Sequence, residues 1–368
     1  MMRNETIYRM ALAYVPLYGN ILIKRLIRDS GSAENAFSET YQGWQKLRKY
    51  HHGLSKPALS PTMWEKVIRE YEWMEANQVK VSFFTDPEYP SRLRSCNDAP
   101  YLFFYRGDSN FNRQRVVSIV GTRGASVYGK DVVKKIVSEL TPYGVSVVSG
   151  LARGIDTQAH EQALTRGLNT VAVLGSGLGA IYPRGNTRLA QQIVENGGTL
   201  LSEFPYMETP DRQNFPRRNR IIAGMSDAVI VAESARKGGS MITAFIAHSY
   251  NRDVFAVPGS VFQESFSGCH ELIRSNVAAI VTSGDEFADM MGWNLESPKH
   301  VQRSLFIEID EKEKDIADLI LAHPAISIDE LMVKLSGVSV SKIASILLSL
   351  EIKGLIECLP GKVYRWVR

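Results

Sequence analysis

The chain has 368 residues, enough for two or three domains with cores of their own. A hydrophobic content of 44% and a charged content of 22% predict a soluble globular protein, and no apolar run approaches the roughly 18–20 residues that span a membrane. The formal net charge of +4 is mild, so a nucleic-acid-binding surface would have to be a local patch.

Residues 1–115 carry 17 Lys and Arg against 12 Asp and Glu, residues 116–290 carry 16 against 16, and residues 291–368 carry 10 against 11. A basic patch is therefore expected in the N-terminal or middle part. Cys96, Cys269 and Cys358 lie far apart and match neither a disulfide framework nor a paired-cysteine metal site, which predicts a reducing, cytoplasmic setting. The first residues lead directly into a helical pattern broken by charges, so no signal peptide is expected.

Residues 7–50 read as short helices, with apolar positions at Ile7, Met10, Ala11 and Tyr14, then over 21–27 and 33–37. The turn Val15-Pro16-Leu17-Tyr18-Gly19-Asn20 resembles that of a helix-hairpin-helix, which can hold a DNA backbone, and Lys24, Arg25 and Arg28 follow it. A small helical packing module explains the same pattern. Residues 62–77 are expected to form another helix whose stripe of Trp64, Val67, Ile68, Tyr71 and Met74 or Glu75 is core. Short strands follow over 79–84 and 101–105, separated by proline turns.

From Arg115 the pattern becomes strand, glycine turn, helix, repeated. Strands over 116–120, 145–148, 170–174, 199–202, 228–232, 253–257 and 278–281 alternate with helices. That alternation predicts an α/β fold: an extended Rossmann-like, doubly wound, mostly parallel sheet. Such sheets bind ligands outside the carboxyl ends of their strands. The stretch Val147-Val148-Ser149-Gly150-Leu151-Ala152-Arg153-Gly154-Ile155-Asp156 is one such strand-to-helix turn. Glycine lets backbone N–H groups approach an anion, the helix start supplies unpaired donors, and Arg153 adds fixed positive charge. Any tight turn needing glycine for a positive φ reads the same way, and only convergence with other basic turns marks an anion site. Arg123, Arg153 and Arg236 follow three strands, Arg184 follows another slightly later, and Arg217, Arg218 and Arg220 open a helix on the same edge. Together they predict a basic rim and an anion site.

Other chemistries fit less well. Gly175-Ser176-Gly177-Leu178-Gly179 is not G-x-G-x-x-G and follows the third strand of its unit, which argues against a dinucleotide oxidoreductase. Asp156 and His160 are spaced as a ligand pair, but no third metal ligand accompanies them; a helix-capping Asp and a packed His explain both, and no metal is expected.

After a linker at 291–304, helices over 312–322, 327–335 and 339–352 precede a hairpin of 355–358 with 363–367. This order predicts a winged helix. Its third helix offers Lys342 and Lys353 but otherwise small and apolar residues where a DNA reader presents Arg, Lys, Asn or Gln, so protein interaction is the expected role.

Four ordered motifs, Gly121-Thr122-Arg123, Ser149 to Asp156, Phe215-Pro216-Arg217-Arg218-Asn219-Arg220-Ile221-Ile222 and Val257-Pro258-Gly259, together resemble the DNA-processing protein A family (DprA/Smf) across residues 116–282. The flanks resemble it too: a helical SAM or helix-hairpin-helix-like domain at 1–78, the Rossmann-like domain at 79–290, the linker at 291–304 and a winged helix at 305–368. The resemblance implies a non-enzymatic protein without a cofactor that binds single-stranded DNA. It further implies a homodimer through the Rossmann-like domain, protection of incoming strands, and loading of the RecA recombinase during natural transformation. By motif, the family's phosphate-contacting arginine corresponds to Arg123, and its Tyr-Pro-Lys/Arg-x-Asn element supplies Arg184 and Asn186. Gly121, Ser149, Gly150, Arg153, Gly154, Gly175, Asn214, Phe215, Arg217, Arg218, Asn219, Arg220, Gly239 and Ser240 are expected on the same nucleic-acid-binding edge.

The sequence departs from the family at Gly238-Gly239-Ser240, at His270 and at Asn276-Val277, and the first departure removes any role for a serine at 238. The alternative is a nucleoside-monophosphate phosphoribohydrolase on a related fold. That activity uses Pro-Gly-Gly-x-Gly-Thr-x-x-Glu; the corresponding stretch here, 238–245, lacks the glutamate, and Glu233 stands before the turn.

Overall fold

The computed structural model describes residues 4–38, 57–108, 110–293, 310–323, 325–335, 337–353, 355–359 and 361–367. The chain divides into two compact units, Met1–Leu295 and Glu296–Arg368. Most of the expected linker at 291–304, and the helical reading of 39–50, lie outside the described residues.

Among the described residues, four helices open the first unit: α1 (Glu5–Leu12), α2 (Asn20–Ser30), α3 (Ala33–Phe37) and α4 (Pro61–Ala76). Three of them begin at a polar side chain that accepts a backbone N–H three residues on: Asn4 from Ile7, Ser32 from Asn35 and Ser60 from Met63. Pro61 then sits in the first turn of α4, where its missing N–H costs nothing. The inner faces of these helices (Ile7, Met10, Leu22, Leu26, Val67, Met74) share one hydrophobic core with Phe83, Leu102, Phe104, Ala172 and Leu174 from the sheet.

Among the described residues the sheet has nine strands: β1 (Lys80–Phe83), β2 (Leu102–Gly107), β3 (Val116–Gly121), β4 (Ser146–Ser149), β5 (Thr170–Leu174), β6 (Thr199–Ser202), β7 (Ala228–Glu233), β8 (Asp253–Ala256) and β9 (Ala279–Ile280). Their order is β1-β2-β6-β5-β4-β3-β7-β8-β9. The pairs β1/β2 and β2/β6 are antiparallel and all others parallel. The chain winds outward from β3 through β6, returns across the sheet, and winds the other way from β7, so a topological switch point falls between β3 and β7.

Period-two alternation splits the central strands between two cores. Val116, Val120, Val148, Val171, Val229 and Val231 pack on α9 (Asn214–Met225) and α10 (Gly239–Ser249). Val117, Ile119, Val147, Ala228 and Ile230 face α6 (Val127–Glu139), α7 (Ile155–Thr165) and α12 (Gly284–Met290) on the other side. α8 (Thr187–Glu195) and α11 (Ser267–Arg274) complete the layers, and a one-turn α5 (Ser91–Arg94) follows β1. The doubly wound, mostly parallel sheet is as the alternation predicts. Neither α5 nor α12 was expected: each is too short to carry a 3.6-residue signal.

The second unit is a winged helix of α13 (Glu311–Leu321), β10 (Ile326–Ser327), α14 (Ile328–Lys334), α15 (Val340–Ile352), β11 (Ile356–Leu359) and β12 (Val363–Trp366). Its sheet runs β10-β12-β11 around a core of Ile316, Ile320, Leu331, Ile343, Leu347 and Leu350. The two-residue β10 escapes sequence periodicity altogether. Of the two bases counted on the third helix, Lys353 is held by Glu313 at 2.6 Å.

Candidate nucleic-acid interface

The turn after β4 is held together by its own helix. Asp156, in the first turn of α7, reaches back and accepts the N–H groups of Gly150 at 3.1 Å and Ala152 at 3.3 Å. Ser149 Oγ donates to Ile119 O at 2.6 Å, tying the end of β4 to β3. Asn186 Nδ2 donates to Leu151 O and Thr157 Oγ1, both at 2.8 Å, and so pins the loop that carries Arg184 onto the same turn. The Gly150 amide is thus satisfied within the protein. Gly150 lines the pocket described below and also makes room beneath it: the guanidinium of Arg218 lies where a Cβ at 150 would stand. Gly154 has φ +80°, and a Cβ there would collide with Thr122 O.

Arg218 is buried and donates through Nη1 to Val173 O at 2.7 Å. Burial lowers its pKa to about 10, against the opposing effect of Asp156, so it remains a cation at neutral pH. Burial also raises the Asp156 carboxyl, an effect the Arg218 charge opposes. His160 is fully buried with Nδ1 at 2.7 Å from Thr170 Oγ1, and burial lowers its ring to about 3. Asp156 and His160 therefore have structural work: one braces a turn, the other packs neutral beneath the sheet.

Above Arg218 opens a pocket of about 590 Å³ at the carboxyl ends of β3, β4 and β5. Arg123, Arg153 and Arg184 reach it from three successive strand ends, and Gly175 lines it beside Ser176. Phe215 forms one wall, with the Arg123 guanidinium 5.0 Å above its ring and the Tyr182 ring 5.9 Å away. A Cβ at Gly175 would lie 2.9 Å from the Phe215 ring, so glycine is what lets the ring settle there. Arg123, Arg153 and Arg184 are exposed and form no ion pair among the described residues, and no carboxylate lines the pocket. Three unneutralised guanidiniums around an aromatic wall suit an anion that carries flat rings.

A second cavity of about 320 Å³ adjoins the first, sharing Arg123, Ala152, Phe215 and Arg218 with it. It occupies the β3–β7 switch point and is lined by Gly121, Asn219, Gly239 and Ser240, and by Asp156, whose carboxylate accepts the Gly150 and Ala152 N–H groups. Asn219 Nδ2 donates to Gly239 O at 3.3 Å and Ser240 Oγ to Ser234 Oγ at 2.8 Å, so these side chains shape the start of α10.

The remaining expected residues go elsewhere. Arg217 lies over the Phe204 ring at 5.0 Å and lines a separate cavity with Tyr14, Tyr18 and Asn20. Arg220 is ion-paired with Glu203 and donates to Asp98 O at 2.6 Å. Helical periodicity explains the division: 215 and 218 share one face of α9, 217 and 220 another. Asn214 is buried, with Nδ2 3.4 Å from Glu208 Oε1. Arg236 is 3.5 Å from Glu271 and does not line either cavity. The turn read as a helix-hairpin-helix contributes Tyr18, Gly19 and Asn20 to the cavity of Arg217, beside Glu203 and Glu208. Arg220 neutralises Glu203, but Glu208 adds a carboxylate alongside Arg217, which leaves the cavity without the cationic excess of the first pocket. Glu233 is buried, and its Oε2 accepts the Ser126 N–H and hydroxyl, both at 2.9 Å, so it braces the residue that caps α6. Tyr182, like Gly124, Ala152, Ser176, Pro183 and Gly185, lines the pocket without being among the expected site residues; its place beside Arg184 was the available signal.

With this geometry in view, comparison with known proteins is decisive. The model of the DNA recombination-mediator protein A family matches residues 80–292. The chain belongs to that family. The DprA winged helix domain model matches residues 307–362. Among relatives, Protein Smf of Synechocystis is 35% identical over 297 residues, covering 79% of this chain and 74% of that protein. DNA processing protein DprA of Streptococcus pneumoniae is 45% identical over 201 residues, covering 55% and 70%. The X-ray structure of DprA from S. pneumoniae superposes with a TM-score of 0.57 at 34% identity, covering 74% of this chain and 98% of that one. A Helicobacter pylori DNA processing protein A, whose single-stranded DNA binding mode has been described structurally, superposes with a TM-score of 0.53 at 29% identity, covering 58% and 95%. Membership in the family makes this chain a DNA-processing protein.

Proposed function

We propose that this member of the DprA family binds single-stranded DNA in the pocket at the ends of β3, β4 and β5. The observation that carries the reading is the trio Arg123, Arg153 and Arg184, which is exposed, makes no ion pair among the described residues and is grouped around Phe215. Guanidiniums neutralise phosphates, while a ring wall stacks a base of any identity, which favours single strands over duplex and gives little sequence choice. Gly121, Gly239, Asn219 and Ser240 shape the adjoining cavity along the same path. Fluorescence anisotropy with single- and double-stranded oligonucleotides at two salt concentrations tests this. Tighter, salt-sensitive binding of the single strand is expected; equal binding of both without salt dependence would reject it.

The family likeness supports three further proposals: the protein acts as a homodimer, it passes the strand to the RecA recombinase during natural transformation, and it does so in the cytoplasm without catalysis of its own. Burial of Glu233 against the Ser126 cap supports the last point, since the phosphoribohydrolase alternative needs a carboxylate at the substrate. Incubation with nucleoside monophosphates is expected to release no free base. Among the described residues no helix is long and apolar enough to cross a membrane. Residues 1–78 and 79–290 are proposed as two domains of the first unit, joined through one shared core.

A further inference from the structure

The N-terminal helices contribute no residue to the 590 Å³ pocket, yet α4 is connected to two of its walls through one short strap, residues 205–208. On the α4 side, Trp73 stacks on Tyr206 with ring centroids 4.6 Å apart and planes 16° from parallel. One turn earlier, the buried Glu70 accepts the Tyr206 N–H at 2.7 Å and lies 3.3 Å from the Tyr14 hydroxyl. On the pocket side, the strap's carbonyls receive the glycine turn after β5. Gly179 N–H donates to Tyr206 O at 3.1 Å and Gly177 N–H to Glu208 O at 2.9 Å.

The fit leaves no slack. A Cβ at Gly177 would collide with Pro205 O, and one at Gly179 would lie 2.7 Å from Tyr206 O and 3.4 Å from Trp73 Cζ2. The same turn carries Gly175, against which Phe215 rests, and Ser176, whose carbonyl accepts Ser202 Oγ at 2.7 Å. The strap also meets the start of α9 through Glu208 and Asn214, one residue before Phe215.

We propose that Trp73 and Glu70 are positioning residues for the DNA pocket: α4 clamps the 205–208 strap, and the strap sets the glycine turn and Phe215 at the spacing a nucleotide requires. This rests on the single-strand reading of the pocket. It gives the helical region a role in affinity without touching the strand, by fixing beforehand a loop that binding would otherwise have to order.

The test compares variants in the full chain. Trp73→Ala should weaken single-strand binding by between about 2- and 30-fold, the range of couplings carried through packed side chains. The salt slope should stay unchanged, because every phosphate keeps its cation. Trp73→Phe, which keeps a stacking ring, should restore most of the affinity, and Glu70→Gln, which keeps the acceptor, should bind nearly as the unaltered protein does. Trp64→Ala serves as the packing control: Trp64 lies on the same helix but packs on Tyr8 and Phe37. It should leave affinity unchanged. Amide hydrogen exchange provides a readout independent of DNA. Gly177 and Gly179 should exchange faster in Trp73→Ala and not in Trp64→Ala. A double variant of Trp73→Ala with Tyr206→Ala should lose little more than either alone.

Unchanged affinity or unchanged exchange in Trp73→Ala, an equal loss in Trp64→Ala, or additive losses in the double variant would each overturn the clamp. Failure of the unaltered protein to bind single strands would instead overturn the reading beneath it.

Discussion

The guanidinium of Arg218 lies across Gly150, in the space that a side chain at 150 would occupy, and from there reaches Val173 O. The central motif's glycine and an arginine from a helix 68 positions later thus form one packed unit under the pocket. Gly150→Ala forces that guanidinium off its acceptor. Overpacking of this kind costs about 1–3 kcal/mol, and thermal denaturation should show a midpoint several degrees lower. Single-strand affinity should fall with it, because Arg218 also lines the pocket. An unchanged midpoint and affinity would show that this packing is dispensable.

Arg123→Ala removes a cation that has no ion-pair partner among the described residues and stands over Phe215. Loss of one charge-assisted hydrogen bond is worth roughly 1.5–3 kcal/mol, or about 10- to 150-fold in affinity. The log–log salt slope should shrink by about 0.7 for each phosphate that is no longer neutralised. Removal of residues 304–368, a slightly acidic segment, should cost much less. Anisotropy titrations across a salt series measure both, and the reverse ranking in folded protein would move the site to the winged helix.

Glu70 supplies a pH dependence. Burial pushes its carboxyl up to about 7, partly offset by the Tyr206 N–H and the Tyr14 hydroxyl. Because the folded value lies above the ordinary 4.5, the folded state holds the proton more tightly. The stability this contributes is fully present below about pH 4.5 and is lost as pH rises through about 7. Denaturant midpoints between pH 5 and pH 8 should therefore fall less steeply in Glu70→Gln than in the unaltered protein. Parallel profiles would mean that Glu70 keeps an ordinary pKa.

The proposed dimer has a specific candidate surface. On α10, Met241, Ala244 and Ala247 are core, whereas Ile242 and Phe245 are 42% and 48% exposed; on the edge strand β9, Ile280 is 47% exposed. Apolar side chains exposed on a helix and on a sheet edge are suited to burial against a second copy. Light scattering at micromolar concentration should give a dimer mass for the unaltered protein and a monomer mass for Ile280→Glu or Phe245→Glu. A dimer then places two pockets on one particle, and binding of longer oligonucleotides should tighten through effective concentration. A monomeric mass in the unaltered protein rejects the dimer.

Local rules act within a few residues, and what depends on them was readable in the sequence. Alternating valines marked the strands, glycine and proline marked the turns, and their repetition implied a parallel sheet whose strand ends meet along one edge. That is enough to bring Arg123, Arg153 and Arg184 together, since each follows its own parallel strand. Position in the chain could not decide which charges remain available there. Arg217 and Arg220 belong to the same motif as Phe215 and Arg218, but the helical turn of about 100° per residue sends them to the other face, and Glu203, 17 residues earlier, neutralises Arg220. That Gly150 also makes space for Arg218 was not legible, because this role depends on a side chain contributed by α9. The stacking of Trp73 on Tyr206 joins residues 133 positions apart, and no periodicity encodes it. Tertiary packing decided these points, because burial, ion pairing and ring stacking depend on proximity in space, which sequence spacing constrains only inside a single element.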